Sequence, residues 1–316
     1  MKYARRFPTV TEFNLAYNGQ EYSKPWISYT DENGELAYNK PKSLREKMRE
    51  IPLTIEVPEN TTFYILEDST DYTASTNLQD IQYKVNNGNW QTGITYNGIS
   101  LNSGDKIQLK AERQNGYDWR LGVMTGTTNS YQITEGVQVY GNPLSLIDPD
   151  DFESIDVYPT STAAGFIGYF NSIFTNIGLY DASAIYLPET LSNHCYRNMF
   201  SKCSFLEIPP ELPATTLAQY CYAGMFQLCT SLEKAPVLPA ITLNNFSYIS
   251  MFFGCSNLNY VKCMAQDISA TNSHLYWLSG VSATGNFLKP SNMSDWPSGE
   301  SGIPSGWTAR NLDWEE

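Results

Sequence analysis

Histidine is nearly absent from this chain: His194 and His274 are the two copies in 316 residues. No HExxH, GxSxG, GxxxxGKS or GxGxxG string occurs, so the usual signatures of zinc hydrolases, serine hydrolases, P-loop enzymes and dinucleotide-binding enzymes are missing. His194 adjoins Cys195, but a Cys–His nucleophile needs a base oriented by a third group, and a surface position on a helix is the expected place of His194. The six cysteines, at 195, 203, 221, 229, 255 and 263, contain no CxxC pair. Neither a zinc knuckle nor a thioredoxin-type redox pair is supported, and free thiols in a packed core are expected. No apolar run approaches the roughly 18 residues of a membrane span. Met1-Lys-Tyr-Ala-Arg-Arg-Phe-Pro8 is not followed by a signal-peptide core. Asp148-Pro-Asp-Asp151 lacks the alternating ligands of a calcium loop and reads as an acidic linker. The sequence thus predicts no enzyme, no catalytic residue, no metal and no cofactor.

Positive charge is scarce as well. The chain carries 20 Lys+Arg against 33 Asp+Glu, a net −13, and such an acidic body argues against nucleic acid as a partner. Residues 1–50 run the other way, with 9 basic against 7 acidic side chains, and offer a surface for an acidic partner or a plain solvated segment. A hydrophobic content of 41% with 14% aromatics predicts a folded chain of two or three domains.

From position 173 the chain repeats every 26 residues. Ile173-Phe174, Met199-Phe200, Met225-Phe226 and Met251-Phe252 share one register. Ile177, Cys203, Cys229 and Cys255 follow four residues later, then Tyr180, Leu206, Leu232 and Leu258; Phe170, Tyr196, Tyr222 and Tyr248 precede them. Such a period marks a solenoid, whose units bury apolar columns against one another and present a broad outer surface. Within Leu212–Phe226, Thr215-Thr216 supplies a helix cap, and Leu217, Cys221, Gly224 and Met225 fall on one helical face. Leu232, Ala235 and Val237 then read as a strand, so each unit is predicted to be one helix and one strand.

The strings LPATTLAQYCYAGMFQLCTSLEKAPVLP, CMAQDISAT and GIPSGWT resemble the leucine-rich repeats of the BspA type. These occur in surface proteins of gut Bacteroidales and in virion proteins of the crAss-like phages that infect them. The resemblance covers roughly residues 165–310 and implies adhesion or attachment. Without a signal peptide, a virion protein assembled in the host cytoplasm is the expected home of these repeats.

Residues 51–145 have the grammar of an antiparallel β domain. Ile81, Tyr83 and Val85 alternate, as do Ile107, Leu109 and Ala111, then Val137 and Val139, with turn signals at Asn87-Gly88, Asn97-Gly98, Ser103-Gly104 and Asn115-Gly116. The turn spacing predicts a β-sandwich of a size that fits an immunoglobulin-like module; with no cysteine and no tyrosine corner, the architecture alone is predicted. Before it, Trp26–Thr30 and Glu35–Tyr38 flank Asp31-Glu-Asn-Gly34 as a hairpin, and Lys42–Glu50 reads as a charged connector, helical or extended. Tyr17, Tyr22, Trp26, Tyr29 and Tyr38 are the candidate virion anchor.

The predicted class is therefore α+β and multidomain: an anchor over 1–50, a β-sandwich over 51–145, a linker over 146–164, leucine-rich repeats over 165–263 and a C-terminal cap over 264–316. The function expected is that of a head fibre or capsid decoration protein in the virion of a bacteriophage; a tail fibre or a bacterial BspA-like adhesin is the alternative. Expected partners are other virion proteins through the N-terminus and a host surface glycan or protein through the repeats, with neither membrane nor nucleic acid involved. A homo-oligomer, preferably a trimer, suits multivalent attachment. If the outward strand face binds, its columns are Glu207, Glu233 and Asn259, then Ile208, Lys234 and Tyr260, then Pro210, Pro236 and Lys262. Tyr260 and Lys234 pair an aromatic platform with a charge, and Tyr276 and Trp277 in the cap are the next exposed aromatics expected. Glu207 and Glu233 stack as a ladder, which does not suit glycosidase chemistry.

Overall fold

The computed structural model describes residues 28–30, 36–38, 44–66, 81–94, 97–112, 120–127, 130–157, 173–174, 177–293 and 296–312. Strands β1 (Ser28–Thr30) and β2 (Leu36–Tyr38) form an antiparallel hairpin that aligns Tyr29 with Ala37. Helix α1 (Leu44–Arg49) follows.

Two sheets then face each other. Strands β3 (Leu53–Glu56), β4 (Thr61–Leu66), β5 (Gln82–Val85), β6 (Gln91–Thr92), β7 (Ile99–Leu101), β8 (Lys106–Lys110), β9 (Arg120–Thr127), β10 (Ser130–Ile133) and β11 (Glu135–Tyr140) supply them, joined by β12 (Gly178–Asp181). One sheet has the order β10-β9-β4-β7, the other β12-β11-β3-β8-β5-β6. Alternation sets which side faces in: Ile107 and Leu109 of β8, and Val137 and Val139 of β11, are buried, while Lys106, Gln108 and Lys110 point out. The turn signal at Asn115-Gly116 lies outside the described residues. β12 pairs in parallel with β11, so this sheet runs directly into the repeats. Buried apolar side chains form one continuous cluster from Leu53 to Trp307.

Of the two forms expected for the connector the helical one is present, and it is docked rather than free. Met48 of α1 is buried with Ile51, Tyr140, Ala184 and Tyr186. Arg45 reaches Glu189 at 2.8 Å and the Leu187 carbonyl at 2.7 Å, and Arg49 reaches Asp156 at 2.7 Å. Both guanidinium groups lie over the Tyr186 ring, at 5.0 and 5.9 Å.

The expected fold class needs correction. Strands and turns dominate, α1 is the one α-helix among the described residues, and no helix–strand solenoid forms; the chain is β-rich rather than α+β. The segments read as repeat helices are runs of tight turns. The N–H groups of Cys221, Ala223, Met225 and Gln227 bond three residues back, to Ala218, Tyr220, Tyr222 and Gly224. Those of Tyr220, Tyr222, Gly224, Phe226 and Leu228 bond across to carbonyls of the next unit, at Asn245, Ser247, Ile249, Met251 and Phe253. An α-helix spends every interior N–H on its own carbonyls. Here every second one is spent on a neighbour, so the units zip together sideways. Every fourth residue also takes a left-handed backbone, as at Tyr220 (φ 56°), Gly224 (φ 60°) and Leu228 (φ 60°), which no helix tolerates.

The predicted repeat strands are equally reduced. Strand β13 (Tyr260–Lys262) pairs in parallel with β14 (Gly285–Lys289), and β14 with β15 (Trp307–Asn311). Elsewhere in the stack the units meet through single bridges such as Asp181 with Ile208 and Lys234 with Tyr260. The first spans 27 residues and the second 26, so Tyr180 does not fill the Leu206 column as the period suggests. Leu179 is the buried neighbour and Tyr180 is half-exposed.

Candidate functional site

The stack carries its core as columns. Phe174, Phe200, Phe226 and Phe252 stack ring on ring at 5.3 to 5.5 Å, and Tyr196, Tyr222 and Tyr248 form a parallel column. Cys203, Cys229 and Cys255 make a third, each thiol donating to a phenylalanine carbonyl 29 residues earlier, at 3.3, 3.1 and 2.9 Å. All six cysteines are buried and free of disulfides. Burial pushes the Cys221, Cys255 and Cys263 thiols up to about 12, and raises those of Cys195, Cys203 and Cys229 as well. Thiols held protonated in this way are poor nucleophiles and poor metal ligands.

With the core fixed, the bridges decide what faces solvent. Glu207, Ile208, Glu233 and Lys234 are exposed, and Asn259, Tyr260 and Lys262 are half-exposed. The Lys234–Tyr260 bridge brings the ammonium of Lys234 to 5.9 Å from the Tyr260 ring centre. Glu207 is engaged by the Tyr180 hydroxyl, and burial followed by the Glu207 charge raises the pKa of that phenol. The Asn259 amide donates to the Asn257 carbonyl at 3.2 Å, which fixes its orientation. Both of the first two columns named from the sequence therefore reach solvent, fully or in part. The third does not: Pro210 and Pro236 are buried, and Lys262 alone of that set reaches the surface.

Several other positions differ from expectation. Trp277 is fully buried, stacked on Trp296 at 5.1 Å and donating from its indole to Gly302, so of the two cap aromatics Tyr276 alone is exposed, at 47%. His194 is not a surface helix residue. It has a left-handed backbone (φ 62°) and stacks at 4.7 Å on Tyr220, which stacks at 4.4 Å on Phe246. Burial, then the charge of Arg197, lowers the His194 pKa. Among the anchor candidates, Tyr17, Tyr22 and Trp26 lie outside the described residues, as do the side chains of Tyr29 and Tyr38.

Sequence reasoning missed Tyr180, placed in the core by the strict period, and Val237, read as an apolar position of the repeat strand but 49% exposed. No signal short of the one-residue shift between Asp181 and Ile208 reveals Tyr180. Among the described residues no group of three His, Cys, Asp or Glu side chains is arranged to hold a metal ion. Among the same residues no helix is long and apolar enough to cross a membrane. No protein-family model, curated protein or solved structure matches the chain.

Proposed function

We propose that the protein is a non-enzymatic structural and attachment protein of a bacteriophage virion, a head fibre or capsid decoration that holds to the particle by its N-terminal region and displays the repeat stack outward. The observation that carries this reading is the Lys234–Tyr260 bridge between neighbouring units, which seats the exposed Lys234 ammonium 5.9 Å from the centre of the half-exposed Tyr260 ring. A rigid, zipped stack holds such side chains at fixed spacing, which suits recognition of a repetitive surface polymer. The resemblance of the repeats to the BspA type supports the same direction. Copies arranged symmetrically, as in a trimer, would raise a weak contact to useful avidity. Immunogold electron microscopy of purified particles of the encoding phage tests the placement. Label on the head is the expected result; label on the tail favours the tail-fibre reading, and label on bacterial envelopes with none on particles favours the adhesin.

A further inference from the structure

Residues 51–150 hold five basic side chains against twelve acidic ones, yet three of the five, Lys84, Lys106 and Lys110, lie on the outer face of the six-stranded sheet. Lys106 is occupied by Glu56 at 3.4 Å. Lys84 and Lys110 converge instead on Trp90, their ammonium groups 5.2 and 5.4 Å from its ring centre. Trp90 is 37% exposed, so its ring is open to solvent beside the two ammonium groups. Register explains the convergence. Gln82 pairs with Lys110 and Lys84 with Gln108, so these four share a face, and Gln82 pairs with Thr92 on the edge strand beside Trp90. The β11 side of this sheet is covered, since Tyr140 is buried against Met48 of α1 and Tyr186.

From this geometry we infer that Trp90, Lys84 and Lys110, with Gln82, Thr92 and Gln108 around them, form a second binding site, for an acidic polysaccharide built of uronic acid units. Each part of such a ligand meets a matching group. An indole face takes the C–H side of a pyranose ring, two ammonium groups take the carboxylates, and amide and hydroxyl side chains take sugar hydroxyls. Charge supports this occupant over a neutral glycan. Two like charges drawn to one ring repel each other, and an anion between them relieves that repulsion. The choice of a sugar over an acidic peptide rests on the exposed ring, which a bare carboxylate does not need. This site is separate from the repeat face and stands or falls independently of it.

Affinity electrophoresis of the full-length protein through polygalacturonate tests the inference. Fully methyl-esterified polygalacturonate and polyglutamate serve as the neutral-sugar and acidic-peptide controls. Retardation is expected in polygalacturonate alone. It should weaken at least about ten-fold in Trp90→Ala, and equally in the Lys84→Gln/Lys110→Gln pair, with melting temperatures unchanged. Three results would overturn the proposal: no retardation of the parent protein, variants retarded as strongly as the parent, or retardation by polyglutamate that Trp90→Ala leaves intact.

Discussion

The thiol of Cys229 donates a hydrogen bond to the carbonyl oxygen of Phe200, one unit back in the stack, at 3.1 Å. Cys203 and Cys255 repeat the contact with Phe174 and Phe226. A side chain small enough for a close-packed column and able to donate weakly to a carbonyl explains why cysteine recurs there, without redox or metal chemistry. The expected outcome is six thiols that resist a thiol-specific reagent in the native protein at neutral pH and all react once it is denatured without reductant. Rapid reaction of two or more native thiols would show that the columns are open to solvent.

Met225 sits in the same packing, fully buried between neighbouring units. Met225→Ala should cost about 2–5 kcal/mol of stability, because the flanking units are tied by backbone bonds and cannot collapse into the gap. A chemical denaturation curve checks it, and a loss below about 1 kcal/mol would mean that the site relaxes freely.

His194 gives the stack a pH dependence. Its folded pKa is lowered, so as pH falls the unfolded chain takes up a proton first and the fold loses stability. The stabilisation is complete above about 6.5 and is lost as pH drops below it. His194→Phe keeps an aromatic ring in a column where Phe246 already adopts the same left-handed backbone, and it removes the titration. Melting temperatures from pH 7.5 to 5.5 should fall more steeply for the parent than for this variant. Parallel curves would refute the assignment.

These cases also show what the sequence could reveal. The 26-residue period, the inward columns and the alternation of β8 and β11 were legible because burial repeats with the backbone. The period inside each unit was the part that a helix-like pattern of apolar residues three and four apart obscured. Cys221-Tyr222 and Met225-Phe226 recur at a strict four-residue interval, continued by Cys229. On an α-helix a four-residue step drifts by roughly 40°, so a sustained interval of four favours a repeating turn. Apolar residues three and four apart suggested a helix, while Gly224 at a left-handed position argued for a turn. The outer face was half legible for a related reason. Alternation predicts an extended strand, but after Leu206 and Leu232 the chain makes isolated bridges and then tucks Pro210 and Pro236 inward. No sequence signal tied Trp90 to Lys84 and Lys110, because their meeting depends on the cross-strand register of β5 and β8.

Helix α1 sets the limit of N-terminal truncation. A chain beginning at residue 44 keeps Arg45, Met48 and Arg49 on Glu189, Tyr186 and Asp156, whereas one beginning at residue 51 loses all three. Removing buried Met48 alone should cost about 1.5–3 kcal/mol. The shorter chain should therefore melt measurably lower than the longer one. Equal melts would make α1 dispensable, and only then would loss of particle incorporation by the shorter chain report on anchoring alone.

Attachment through the repeat face, at Lys234 and Tyr260, is tested by the binding of the fluorescently labelled protein to host cells. Lys234→Ala/Tyr260→Ala removes the ammonium and the ring that meet at 5.9 Å while leaving the buried columns intact. A melting temperature close to that of the parent and attachment weakened several-fold are expected. Equal attachment by parent and variant would contradict attachment through this face.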